Sequence, residues 1–269
     1  MTKALWLALA LSAPLAQAAD PFYANPELQA QAPSAFALQA QARPFLAQAH
    51  ALTRKQGEAL VAAIQAEPEL AEAIARWPQL SFDEQRPHLE RVFALECALL
   101  GITPPELVID PHSYPGKTVY FDFDPSRPGP GVVYLNPQKL AAMPPYASLA
   151  FLLHETRHSY QFQLAYAEDS VLAQGYRDAF EAQKRLEGFS FSDFLTLLNE
   201  YEAFQFGNYV LGRLTDWQVR MINMGTYASQ FDGRGTLKMD LLELGEEGDL
   251  LSRYNALAEA HWQARQAQQ

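Results

Sequence analysis

Cysteine is all but missing from the chain. Cys97 stands alone among 269 residues, so no internal disulfide can form and stability must come from packing or a bound ion. It sits in the apolar run VFALECALLGI and reads as a small core residue of a buried helix. An excess of positive charge is missing too: 20 Lys and Arg face 31 Asp and Glu, a net charge of −11. That balance argues against nucleic acid and anionic membrane surfaces as partners. Beyond the N-terminus no uncharged apolar run approaches the roughly 20 residues of a membrane span, so none is expected.

The opening MTKALWLALALSAPLAQAAD has Lys3, an apolar stretch from Ala4 to Ala16, and a small-x-small site at Ala16-Gln17-Ala18. This is the pattern of a secretory signal peptide over residues 1–18, and it predicts a soluble protein exported to the periplasm or the medium. Losing Lys3 leaves 19 basic against 31 acidic residues, or −12.

Residues 19–33 have no clear period and read as a loosely packed leader. From Ser34 to Trp77, apolar residues at helical spacing predict two or three helices, with Pro44 and Pro68 as starts or breaks. Ser81 and Glu84 form a possible capping box, and Pro87 is expected to open a longer helix ending before Gly101. Three β-rich runs follow, ELVIDP, KTVYFDF and GVVYLNP, the last two flanking DPSRPGPG as a hairpin would. After Pro144 the pattern is helical again. The expected fold is α+β, mainly α, with an N-terminal helical region over 19–100 and a second region over 101–269.

One stretch carries chemistry. His154-Glu155-Thr156-Arg157-His158 is an HExxH motif, for which composition gives about 0.01 chance matches. Residues four apart share a helix face, so both imidazoles can reach one ion, and a catalytic zinc needs one more protein ligand. Glu155, turned about 100° from His154, can face a water instead, as a general base does. The third ligand is expected from NEYEAFQFGNYV, where Glu200, Ala203 and Gly207 share one face. Glu200 is the choice and Glu202 the alternative. Tyr209, Tyr227 and His261 lie downstream as candidate oxyanion donors, and Tyr227 is preferred because NMGTYASQF reads as a turn back toward the site.

An HExxH helix followed by a separate helix bearing N-E-x-x-A resembles the gluzincin branch of the zinc metallopeptidases. HETRHSYQ is similar to the H-E-x-R-H-x-Y-Q helix of small bacterial zincins, and the resemblance covers roughly Val119 to Gly212. It implies a zincin-like core, with a small antiparallel sheet packed on the HExxH helix and a following glutamate-bearing helix. It makes His154, His158 and Glu200 zinc ligands and Glu155 the general base of amide hydrolysis. It also implies that the edge strand of the hairpin, here Gly131 to Asn136, holds an extended peptide or protein substrate. Two departures have consequences. Phe204 stands where gluzincins often place a carboxylate that orients a ligand, so that role is expected of Gln161 or Asn199. The long interval from His158 to Glu200 implies an inserted helix around Ser170–Leu186. Arg157, at a position usually uncharged, requires a partner or an exit to solvent. The alternative reading is a metal-binding zincin-like protein without turnover, acting as a binding or inhibitor module.

Overall fold

Most helices in this chain begin where side chains or prolines can deal with the first unpaired N–H groups. In the computed structural model, which describes residues 23–219, 230–244 and 249–266, the elements in chain order are as follows. Four helices come first: α1 (Pro26–Gln29), α2 (Arg43–Gln65), α3 (Pro68–Ala75) and α4 (Phe82–Leu100). Strands β1 (Glu106–Ile109), β2 (Val119–Asp122) and β3 (Val132–Leu135) follow. Then come α5 (Pro137–Ala141), α6 (Ala147–Ala167), α7 (Val171–Arg185), α8 (Phe191–Leu195), α9 (Leu198–Leu214), α10 (Leu241–Leu244) and α11 (Leu250–Gln266). The fold is thus α+β and mostly helical. No helix of the described residues is long and apolar enough to cross a membrane. The expected signal peptide, residues 1–18, lies outside the described residues.

Pro44 and Pro68 occupy first-turn positions, and Ser170 caps the inserted helix α7. The Ser81–Glu84 capping box is formed, and it corrects the expected helix start: α4 opens at Phe82, and Pro87 lies inside it. Its end at Gly101 has φ 67°, the left-handed cap that glycine takes without strain. The leader is better packed than its sequence predicts. Ala24 and Leu28 are buried, and Gln29 donates to Asp193 Oδ1 at 3.0 Å and Thr196 Oγ1 at 3.3 Å.

The sheet is mixed, in the order β1-β3-β2. β2 and β3 form the expected antiparallel hairpin, whereas β1 lies parallel to β3 on its other side. This overturns the edge-strand role given to Gly131–Asn136. β3 is central, paired from Val132 to Leu135 with both neighbours, so its backbone groups are already taken. The outer edge of β2 is the one left beside the HExxH helix.

α6 is the axis of the molecule. Every residue from Ala147 to Phe162 is buried, because α4, α7, α9 and the hairpin cover it from different sides. The N-terminal helices belong to the same apolar core: α2 packs on α9 and α4 on α6, with Phe45, Leu60 and Trp77 joining Phe151 and Val210. Ser159 Oγ of α6 donates to the Pro130 carbonyl at 2.6 Å and fixes the hairpin in place. The next residue, Gly131, has φ 73°, and a Cβ there would lie 2.5 Å from Phe121 Cε2 and 2.8 Å from the Asp122 carbonyl. Gly131→Ala combines positive-φ strain with overpacking and should cost about 2 kcal/mol or more. Thermal melting reads this, and an unchanged midpoint would mean that the hairpin yields easily.

Candidate metal centre

A helix buried on all sides must satisfy its polar residues inside the protein. His154 and His158, four apart on α6, turn their Nε2 atoms to one point, 3.0 Å from each other. Glu200, in the first turn of α9, faces the same point. Its Oε2 lies 3.3 Å from His154 Nε2 and its Oε1 3.4 Å from His158 Nε2. α9 runs close to α6 here: a Cβ at Gly207 would lie in ordinary contact with the Ala150 carbonyl and His154 N, at 3.5 and 3.7 Å.

The triangle suits an ion. Ligand atoms about 2.05 Å from a common centre, at the tetrahedral angle, stand about 3.3 Å apart, close to the contact between the two nitrogens and to the contact each makes with its own oxygen of the Glu200 carboxylate. Among the described residues these three are the group of His, Cys, Asp and Glu side chains placed to hold a metal ion, and all are buried. Glu200 Oε2 receives no hydrogen bond despite its burial, a cost that a cation would remove. Electrostatics agree. Burial opposes a charge on His158, yet the Glu200 carboxylate outweighs it and raises the imidazolium pKa to about 9. Burial and the neighbouring His158 push His154 down. Burial works to raise Glu200 too, but His158 and His154 bring it to about 2. The carboxylate thus favours a proton on His158, and a cation replacing that proton would meet the same negative charge and use the Nε2 lone pair.

Glu155 opens into the same cavity but takes no part in the triangle. The space measures about 20 Å³, room for one or two water-sized groups, and its walls include Tyr120, Phe121, Phe123, Phe180, Gln183 and Asn199. Burial first, and then Glu200, raises the Glu155 carboxyl to about 8, against His158, Lys117 and the Phe121 backbone N–H, which all favour its charge. Aromatic rings keep the site dry: Phe204 lies 4.2 Å from the His154 ring, and Phe121 stacks on His158 at 6.0 Å.

The surrounding hydrogen bonds decide between the two glutamates. Glu202 points away from the histidines and is saturated by Arg157, with contacts of 3.1, 3.0 and 2.7 Å, and by Thr53 Oγ1 at 2.5 Å. Arg157 thereby finds the partner its sequence position demanded. Its Nη1 donates to Gln56 at 2.7 Å, and its guanidinium lies between the rings of Tyr160 and Phe206. Gln161 connects this pair to the site. Its Nε2 donates to Glu202 Oε2 at 2.6 Å and to the Asn199 carbonyl at 2.9 Å, both of which only accept. Its Oε1 must therefore face His158 Nδ1, at 2.8 Å, and accept the proton there. That leaves the His158 Nε2 lone pair for an ion. Asn199 serves less directly. It donates to Gln183 Oε1 at 3.0 Å, and Gln183 Nε2 reaches Glu200 Oε1 at 3.4 Å.

Tyr227 lies outside the described residues, as does the side chain of His261. Tyr209 is elsewhere: its hydroxyl donates to Glu58 on α2, and its ring packs on Trp217 and Phe231. Gln183, Tyr120 and Phe180 escaped the reading of the sequence, since nothing in their local pattern separates them from packing residues. The Arg157–Glu202 pair had a signal, because each charge stands within two residues of a ligand on a buried helix. No protein-family model matches this chain, and no curated protein or solved structure is significantly similar to it.

Removing Arg157 should expose what the pair does. Burial alone would raise the Glu202 carboxyl, but the guanidinium outweighs it and holds it below the ordinary 4.5. A depressed folded pKa contributes stability that is present above the unfolded value and is lost as pH falls through the folded one. Arg157→Met leaves Glu202 buried without its counterion and should cost about 3–5 kcal/mol at neutral pH. The cost should shrink as Glu202 becomes protonated, so urea unfolding near pH 7 and near pH 4 gives the test. Equal losses at both would remove Glu202 ionisation as the cause.

Proposed function

We propose that the protein is a zinc-dependent hydrolase of amide bonds, a peptidase of gluzincin type. One observation carries the reading: two imidazole nitrogens stand 3.0 Å apart, each with an oxygen of the Glu200 carboxylate at 3.3 or 3.4 Å, and a separate carboxylate, Glu155, faces the same cavity. Two histidines with one carboxylate suit zinc and leave a coordination position open for chemistry. A zinc ion bound by His154, His158 and Glu200 would supply Lewis acidity toward the scissile carbonyl and make a water more acidic.

The chain's own residues do the rest. Glu155 takes a proton from water in the cavity as the water oxygen joins the carbonyl carbon, then gives that proton to the amide nitrogen as the C–N bond breaks. The Phe121 N–H favours the ionised Glu155 that accepts the first proton. Gln161 holds His158 in the tautomer that presents Nε2, and Phe121, Phe123 and Phe180 exclude bulk water. Tyr227, assigned from the sequence, is the proposed oxyanion donor. An extended peptide or protein substrate would lie along the outer edge of β2, which carries Tyr120 and Phe121, since both sides of β3 are occupied. The signal-peptide pattern of residues 1–18 supports an activity outside the cytoplasm, in the periplasm or the medium.

The small cavity also favours a second reading. With His154, Glu155, His158 and Glu200 no more than 5% exposed, the site could hold an ion without turnover, as part of a binding or inhibitor module.

Elemental analysis of the purified protein should find about one zinc per chain, strongly reduced in Glu200→Gln and kept in Glu155→Gln. Glu155→Gln should lower kcat on a peptide library by about 10²-fold or more. No zinc after reconstitution sinks the metal reading; zinc with no turnover in the unsubstituted chain selects the binding module.

A further inference from the structure

Two walls of the cavity carry a cation. Lys117 Nζ lies 4.7 Å from the centroid of the Tyr120 ring, and Lys184 Nζ lies 4.2 Å from that of Phe123. Tyr120 and Phe123 both line the cavity that holds Glu155 and the ligand triangle. The lysines come from unrelated places, the turn before β2 and the last turn of α7, so it is the tertiary fold that sets both beside one cavity. Lys117 senses both the Lys184 ammonium and the Glu155 carboxylate.

Bringing two like charges together costs Coulomb energy, and it does so here in a chain whose net charge is −11. The carboxylates inside the cavity are Glu155 and Glu200, and Glu200 faces the two histidines. Lys117 is half-buried and Lys184 exposed, so both can be met by an anion arriving from solvent.

We propose that Lys117 and Lys184 form a carboxylate subsite at the mouth of the cavity, selecting peptides that carry a carboxylate near the scissile amide. The scissile amide rests on the peptidase reading; the carboxylate binding does not. The carboxylate can be a free C-terminus or an acidic side chain, and the shared chemistry is a monoanion held by two ammoniums.

The test is calorimetric titration of the purified chain carrying Glu155→Gln, with and without zinc. The probes are N-acetyl-Ala-Ala as free acid and as amide, and N-acetyl-Asp-Ala-amide against its Asn counterpart. At least one acidic probe should bind about tenfold tighter than its neutral partner. That preference should fall toward unity in Lys117→Ala and in Lys184→Ala, with zinc content unchanged and circular dichroism confirming the fold. Discrimination in the first probe pair assigns the subsite to the terminal carboxylate, and in the second to an acidic side chain. Equal binding of acid and neutral probes, binding of none of them, or a preference that survives both substitutions overturns the proposal. Absence of zinc or of turnover in the unsubstituted chain sinks the peptidase reading and leaves this comparison readable.

Discussion

A buried ion pair holds the two site helices in register. Arg157 sits on α6 between the two histidines, and Glu202 sits on α9 two residues after Glu200, so their contact and the ligand triangle depend on one relative placement of the helices. Sliding α9 along α6 would separate two charges that have no solvent to fall back on. Such a loss is far larger than the gain from any alternative apolar packing, which gives the pair a role in specificity whatever its net stability. Thr53 and Gln56 bring α2 into the same arrangement, so the N-terminal helices form a wall of the site's support.

From this pair, hydrogen-bond polarity passes inward to the ligands. Gln161 meets two groups that only accept on its nitrogen side, so its oxygen is committed to His158, and the imidazole is committed in turn. An amide thus sets the polarity of an imidazole. The Phe204 ring packs against His154 at a tilt of 42° and gives that side of the site an apolar wall.

Much of this was legible in the linear chain, and the reasons differ from element to element. Ser81 with Glu84, Gly101 and the prolines at 44 and 68 act through their immediate neighbours, so their effects on helix ends can be read locally, apart from Pro87. His154, Glu155 and His158 are placed by the pitch of one helix. Glu200 was separable from Glu202 only by direction, a difference of about 200° around α9. The strand order was not legible. An antiparallel hairpin follows from a short turn, but whether β1 joins next to β2 or β3 depends on how the whole sheet lies over α6.

The linear order of residues therefore established the mainly helical α+β class, the helix that carries both imidazoles, and the offset of Glu155 from them. All three follow from interactions within a few residues, where helix pitch and caps govern geometry. Folding in three dimensions placed Glu200 beside the histidines, paired Arg157 with Glu202, put β3 in the centre of the sheet, and set Lys117 and Lys184 beside one cavity. Those contacts join residues dozens of positions apart, and their partners are selected by burial and charge across packed elements, which no local pattern encodes.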